Sequence, residues 1–465
     1  AVGCRWVFTM KSGPDGPFEK ARLVAQGFSQ IEGIDYGETF SPVIRYESVR
    51  ILLAVAASKS FMVHQMDVST AFLHGDIDKE VFMKQPPGFA DEKHPSMVWK
   101  LHKSLYGLKQ SPRCWYIKMV DALLEMGFER TAPEHGVFFL KSKEGECLLG
   151  LYVDDLIIAG SSTSIIAKVK LFLSSRFKMK DLGKILGKFL GLDIVQDATT
   201  IKVSMDSYIS LMVKNFKMEE SHKQSTPMMV SPYPQLVSGE SDKLDEADAS
   251  LYRSIIGTLL FAANCLRYDI CFAVGLLSRF LQTPEKNHLS AAKRILRYLN
   301  SNSLSITYGA ASKVTFVGYS DSDWAGDISD RKSVGGYMFL INGKPITWSS
   351  KKQASVSLLS CEAEYIALTE AVKEVLFIYQ VFDDINVLIV SPIVYCDNNS
   401  AVNLAKHPTN HRNSKHIDIR YHFIRAHVGL DFDLWRVDSS ENLADMMTKS
   451  LAAPSFQRLI ELIGN

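Results

Sequence analysis

The segment LLGLYVDDLIIAG, residues 148–160, constrains this chain more than any other. Apolar runs flank the adjacent acids Asp154 and Asp155, the pattern of a buried β-hairpin with the acid pair at its tip. Two carboxylates about 4 Å apart repel by about 4 kcal/mol even at an effective dielectric near 20. A hairpin between apolar strands needs a reason to carry both. One reason is that Asp suits turns, where water weakens the repulsion. The other is a divalent cation with oxygen ligands. A third acid favours the cation. The strand-like MVHQMDV runs through Asp67, with small residues and Phe72 just beyond it. Nucleotidyl transfer needs acids from separate strands that hold two Mg2+ ions roughly 3.5–4 Å apart.

The chain has 465 residues, enough for two to four domains, and a 46% apolar, 22% charged composition typical of globular proteins. No apolar run reaches the length of a membrane span, so no membrane association is expected; runs such as Ile51 to Ala57 read as buried strands or helix faces. No leader-like segment precedes the first strands, so secretion is not expected, and the start at Ala1 suits a piece of a longer polyprotein. Seven scattered cysteines form no C-x-x-C pair, which points to reduced thiols in a cytoplasmic or nuclear compartment. Net charge is +1, so any nucleic-acid track must be local. One candidate is Lys293, Arg294 and Arg297; another is Arg412, Lys415, Arg420 and Arg425. Each could equally be the solvated face of a helix.

Helical spacing of apolar residues predicts helices in CWYIKMVDALLEMGF, LYRSIIGTLLFAANC and HLSAAKRILRYLN. KFLGLDIVQDATTIKVS reads as a hairpin. Residues 225–250, with three prolines and many acids, read as a linker. After Gly309 strands come first and helices later, with a hairpin turning at Asn342-Gly343, a long helix over CEAEYIALTEAVKEVLFIYQVF and a final helix over ENLADMMTKSL. That order predicts a mixed sheet flanked by helices. Asp321, Glu364, Asp397 and Asp445 fall on four separate elements there, the set a metal-dependent nuclease gathers. Each has an ordinary alternative. Asp397 could cap a helix, Glu364 could be one exposed acid beside Glu362 and Glu370, and Asp323 could replace Asp321 on the same strand face. His416, His422 and His427 lack the spacing that puts metal ligands on one helix face and read as a solvated basic surface.

YVDD, QMDVSTAFLHG, KARLVAQGFSQIEGIDYGETFSPV and LYGLKQSPRCWY together resemble the reverse transcriptase of copia-type LTR-retrotransposon polyproteins. The resemblance continues through YRSIIGTLLFAA, LSRFLQTPEKNHLSAAKRILRYL, YSDSDWAGD, WSSKKQASVSLLSCEAEYIAL, CDNNSAVNLA and KHIDIRYHFIR. LRYDICFAV and SMDSYISLMV depart from the family's usual text. The resemblance implies an α+β fold: a right-hand polymerase with a ferredoxin-like palm, fingers and a helical thumb or connection, then an RNase H-like α/β domain. It implies fingers and palm over residues 1–205, thumb or connection over 206–310 and the nuclease over 311–465. By the same likeness Asp67, Asp154 and Asp155 bind the polymerase metals, and Asp321, Glu364, Asp397 and Asp445 those of the nuclease. Lys20 and Arg22 contact the triphosphate, Phe72 lies under the incoming sugar, Tyr106 and Gly107 form the nucleotide-binding turn, and Phe189, Leu190 and Gly191 the primer grip. A core Phe at position 72 and a plain buried hairpin at 189–191 remain open. The implied cofactor is Mg2+, with Mn2+ as an alternative. The implied partners are an RNA template, a DNA primer, dNTPs and an RNA–DNA hybrid; the implied location is a cytoplasmic particle or the nucleus. A domesticated or decayed nucleic-acid-binding protein without catalysis is the alternative function.

Overall fold

The structure is a computed structural model that describes residues 1–13, 16–230, 243–327, 329–406 and 418–464. By internal contacts the chain divides into two units. The first comprises residues 1–45 and 62–184, the second 46–61 and 185–465.

The first unit opens with a hairpin of β1 (Cys4–Gly13) and β2 (Gly16–Ala25). The chain leaves it at α1 (Tyr46–Ser58) and returns at β3 (Met62–Val68). A short pair follows, β4 (Phe82–Lys84) and β5 (Val98–Lys100), then α2 (Ser111–Glu125). Next come β6 (Glu129–Arg130), β7 (Val137–Ser142), β8 (Gly145–Tyr152), β9 (Asp155–Gly160), α3 (Thr163–Arg176) and β10 (Met179–Lys184). Six strands make an antiparallel sheet in the order β10-β3-β9-β8-β7-β6. Alternation along the strands sends Met66, Leu149, Leu151, Leu156 and Ile158 to a core shared with Trp115, Met119 and Leu123 of α2 and Ile165, Val169 and Leu173 of α3. The helical spacing expected in CWYIKMVDALLEMGF is thus realised as α2.

In the second unit α1 is buried from Ser48 to Ser58, as a helix apolar on every side must be. Its Arg50 is satisfied inside: Nε donates to the Ile346 carbonyl at 2.6 Å, Nη1 to Cys265 O at 2.6 Å and Asn264 O at 3.1 Å, and the guanidinium lies 4.0 Å from the Trp348 ring centre. A four-stranded antiparallel sheet runs β11 (Leu186–Phe189), β12 (Leu192–Gln196), β13 (Thr200–Ser204) and β14 (Ser305–Gly309). Between its last two strands lie α4 (Asp206–Asn215), α5 (Glu246–Cys265), α6 (Cys271–Leu277) and α7 (Lys286–Ser301). Residues 231–242 of the expected linker lie outside the described residues. In the divergent LRYDI, Arg267 and Asp269 form a fully buried ion pair at 2.6 Å that Tyr298 Oη joins at 2.8 Å.

The C-terminal sheet has the order β17 (Lys344–Lys352), β16 (Val334–Ile341), β15 (Phe316–Ser322), β18 (Ile393–Cys396), β19 (Asp433–Arg436). β15, β16 and β17 are antiparallel, while β15–β18 and β18–β19 are parallel. The β16–β17 hairpin turns at Asn342-Gly343, both at positive φ as expected for that dipeptide. The long helix is α8 (Ser360–Asp384), and α9 (Asn399–Lys406) and α10 (Asp418–His427) follow in the strand–helix alternation. The mixed sheet with helices is therefore the one anticipated. ENLADMMTKSL differs: it starts on the last residue of a 3-10 turn (Ser439–Glu441) and holds only the single-turn α11 (Asp445–Thr448), and the final helix is α12 (Ala453–Leu462). The buried residues of α12, Phe456 and Leu459, supply only a short apolar stripe. Among the described residues no helix is long and apolar enough to cross a membrane.

Candidate active sites

In the first unit, antiparallel register places Asp67 of β3 directly opposite Asp155 of β9. The β8–β9 turn is Val153-Asp154, so Asp155 already belongs to the strand and only Asp154 is at the tip. Val153 has φ +52, a left-handed conformation that strains a β-branched residue by about 1–3 kcal/mol. Two hydrogen bonds hold it there. Trp115 Nε1 donates to the Val153 carbonyl at 2.6 Å, and the Val68 amide to the Asp154 carbonyl at 2.8 Å. The three acids are half-buried. Burial, then the charges of Asp154 and Asp67, push the Asp155 carboxyl up to about 6, against a hydrogen bond from Gln65. Burial also raises Asp154, with Asp67 adding to the shift and Arg22 and Lys20 opposing it. The group is thus a like-charge cluster with two cations of β2 beside it.

Tyr106 links those cations to the acids. Arg22 lies 5.8 Å from its ring centre, and the Phe72 ring 5.0 Å away at a tilt. Burial raises the Tyr106 phenol, with Asp154 and Asp67 adding to the shift and Arg22 opposing it. The turn is tied to β2 by the Ala25 amide, which donates to the Tyr106 carbonyl at 2.7 Å. Gly107 follows at φ +91, and a Cβ there would lie 2.1 Å from the Ala25 oxygen, so only glycine fits. Phe72 also packs on the core below, so it is a core Phe as well as a neighbour of Tyr106. Phe189, Leu190 and Gly191 belong to the second unit. Leu190-Gly191 is the tight β11–β12 turn, both at positive φ, with Phe189 buried and the Leu190 carbonyl accepting from Tyr46 Oη at 2.9 Å.

The second unit gathers four acids at one end of its C-terminal sheet. Asp321 is on β15, and Asp397 follows β18, whose Cys396 is in register with Ser320. These are neighbouring strand ends where β15 meets an antiparallel partner on one side and a parallel one on the other, the kind of switch point at which open sheets bind ligands. Glu364 comes from the first turns of α8 and Asp445 starts α11. Ligand atoms of Asp321, Asp397 and Asp445 lie within 4.8 Å of one another, as do those of Glu364, Cys396 and Asp397. Among the described residues Asp67, Asp154 and Asp155 do not converge to that degree. Burial pushes up the carboxyls of Asp321, Glu364 and Asp445. Asp445 and Asp397 add to the shift at Asp321, Asp321 and Asp397 at Glu364, and Asp397 at Asp445. Buried oxygen donors that repel one another in this way are what a hard divalent cation relieves, so the residues fit one.

The ordinary alternatives for these acids separate. Asn398, not Asp397, caps α9, accepting from the Ala401 amide at 3.1 Å. Glu364 is buried, whereas Glu370 is exposed. Asp323 does not replace Asp321: β15 ends at Ser322, face alternation ends with it, and the Asp323 carboxylate accepts from the Val334 amide. Several partners carried no signal before folding. Thr448 Oγ1 donates to Asp321, Asn442 Nδ2 reaches it at 3.4 Å, and Ser439 Oγ donates to Asp397 at 2.7 Å. Lys449 pairs with Asp445 at 2.8 Å, a contact that its four-residue spacing could have suggested. Of the basic tracks, Arg294 donates to Thr226 Oγ1 at 3.0 Å on α7. Arg412, Lys415 and His416 lie outside the described residues, and His427 pairs with Asp431 at 2.6 Å.

Comparison with known proteins adds to this geometry. Residues 1–230 match the reverse transcriptase (RNA-dependent DNA polymerase) family. The chain is 41% identical to the retrovirus-related Pol polyprotein from transposon TNT 1-94 of Nicotiana tabacum, over 99% of its own length and 35% of that protein. It is 40% identical to the Ty5-1 transposon protein YCL074W of Saccharomyces cerevisiae, over 67% of this chain and 100% of that one. A foamy viral protease-reverse transcriptase solved with double-stranded DNA aligns over 96% of this chain and 67% of that one, at 15% identity and a TM-score of 0.23. The chain spans about a third of the length of the Pol polyproteins that it matches.

Proposed function

Because the chain belongs to the reverse transcriptase family, among the Pol polyproteins of copia-type retrotransposons, we propose that it is an RNA- and DNA-directed DNA polymerase with a hybrid-specific ribonuclease. The observation that carries the polymerase reading is the register of Asp67 against Asp155, with Asp154 at the turn beside them. In this reading the six-stranded sheet is the palm, the β1–β2 hairpin belongs to the fingers and α4–α7 form the thumb or connection. The sheet order β17-β16-β15-β18-β19 and the four convergent acids support an RNase H-like domain.

Asp67, Asp154 and Asp155 would hold Mg2+ or Mn2+ in one unit, and Asp321, Glu364, Asp397 and Asp445 in the other. Such ions supply Lewis-acid stabilisation of phosphoryl oxygens. The chain's own groups orient the substrates. Arg22 and Lys20 give charge-assisted bonds to a triphosphate, with Arg22 held beside the Tyr106 ring. Phe72, packed on Tyr106, forms a wall that a 2′-hydroxyl would strike, which favours dNTPs over ribonucleotides. Gly107 lets the backbone of the turn approach β2. Template, primer and hybrid would be bound through backbone and duplex shape, so affinity should fall steeply with salt. The seven free thiols suit a reducing compartment, a cytoplasmic particle or the nucleus.

Primer extension on an RNA template with Mg2+ tests this reading. Asp154→Asn is expected to lower extension by at least a hundredfold, the order of loss when a charge-stabilising group is removed. Asp397→Asn is expected to abolish hybrid cleavage while extension continues. Equal extension by the Asp154→Asn variant would instead mark a binding protein without catalysis.

A further inference from the structure

Two residues before Asp321 on β15, and two before Asp397 on β18, the sheet carries a row of aromatic side chains. Tyr319 of β15 is in register with Tyr395 of β18, and Tyr395 with Trp435 of β19. Alternation puts Tyr319 and Asp321 on one face of β15, about 7 Å apart along the strand, while Asp397 directly follows the end of β18, two residues after Tyr395. The two tyrosine rings lie 5.3 Å apart at 30°, and Trp435 is 53% exposed with Lys406 Nζ 4.7 Å from its ring centre. Tyr319 and Tyr395 line a cleft of ≈ 450 Å³ together with Arg436, Asp438, Glu441, Leu443 and Leu462. Neither tyrosine hydroxyl is hydrogen-bonded, and Arg436 forms no ion pair, among the described residues. One wall of the cleft is the loop whose Ser439 holds Asp397.

This combination selects a flat, edge-donating ligand. The tyrosines offer a face for stacking, as single-strand binders do. Asp438 Oδ1 accepts from the Ser440 amide and hydroxyl, and Glu441 Oε1 lies 3.8 Å from Arg458 Nη2. The second oxygen of each carboxylate repels a phosphate but can accept from the amino and imino groups of a base edge. Arg436 supplies the cation for the phosphate attached to that base. A base inside a hybrid duplex cannot enter, because its faces are stacked and its edge is paired. We infer that the cleft between Tyr319, Tyr395 and Arg436 binds an unpaired nucleobase, from RNA that continues as a single strand beyond the hybrid held at the four acids. The inference rests on the nuclease reading for its neighbouring hybrid, and its occupant is single-stranded nucleic acid.

The test compares hybrids with blunt ends and with a short single-stranded RNA overhang that carries 2-aminopurine. With the full chain and Mg2+, the overhang is expected to lower KM for cleavage by about tenfold, the effect of one stacked base. In Tyr395→Ala and in Arg436→Glu the ratio of blunt to overhang KM should fall to about one, while Tyr395→Phe should keep the ratio of the unmutated chain. Quenching of 2-aminopurine on binding reads the cleft without cleavage, and should be present in the unmutated chain and lost in Tyr395→Ala. Arg436 is exposed, so its variant covers the case in which the tyrosine variant does not fold. An overhang effect that survives in both variants, or no quenching in the unmutated chain, would overturn the inference. Quenching without any hybrid cleavage would support the cleft and count against the nuclease reading alone.

Discussion

Asp155 is held at about 6 against an ordinary 3.8. Between those values the folded chain keeps a proton that the unfolded chain has already lost. Stability without metal therefore falls as pH rises through that window. Asp154, Asp321, Glu364 and Asp445 are pushed in the same direction, so their contributions share the sign. A divalent cation favours the ionised forms and opposes the trend. Carboxylates held low by lysines, such as Asp76 and Asp327, act in the opposite sense, so the comparison is with Asp155→Asn, which shares them. Relative to that variant, the melting temperature of the unmutated chain in chelator is expected to fall as pH rises from about 4 to about 6, and Mg2+ to restore more of it at the upper end. A difference that does not change with pH would count against this account. At this scale the sequence could name Asp397 and Glu364 but could not choose between their roles. The structure removed one alternative for each: Asn398 takes the cap, and Glu364 is buried. The support from Thr448 and Asn442 was not legible, because it depends on α11 packing against β15.

The β8–β9 turn shows how one element is kept in a strained shape by another. Val153 stays at φ +52 while α2, through Trp115, bonds its carbonyl. Trp115→Phe keeps most of the apolar volume and removes the donor. It is expected to lower stability by about 1–3 kcal/mol in chemical denaturation followed by circular dichroism. It should also reduce primer extension, because the same carbonyl bond holds the turn that carries Asp154. An unchanged denaturation midpoint with full extension would mean that the bond does not hold the turn. Elements with a strong local signal were legible. Asn342-Gly343 tolerates positive φ at both positions, so its hairpin needed no tertiary help. The last helix was misjudged for the opposite reason. ENLADMMTKSL has helical composition, but Asn442 and Thr448 are drawn into hydrogen bonds with the β15 region, and the helix lasts one turn.

The chain crosses between its two compact units after Arg45, Phe61 and Lys184, so α1 is built into the second unit although segments of the first flank it. Val49, Leu53 and Val55 are fully buried there, against β13, β14, β17 and α5. A chain ending at Lys184 would leave this apolar helix and Arg50 without those partners. It is expected to be largely insoluble, or to bind an apolar dye strongly in its soluble fraction. A soluble fragment that melts cooperatively would overturn that expectation. The sequence by itself determined the hairpin with its acids, the apolar stripes of α2, α5 and α7 and the strand–helix alternation of the C-terminal sheet. Those depend on local periodicity and turn chemistry, which act over a few residues. Only the tertiary structure decided that Asp67 faces Asp155, that four acids meet at two strand ends and that α1 joins the second unit. Such outcomes follow from strand register and from which apolar surfaces find each other, and residues far apart in the chain settle both.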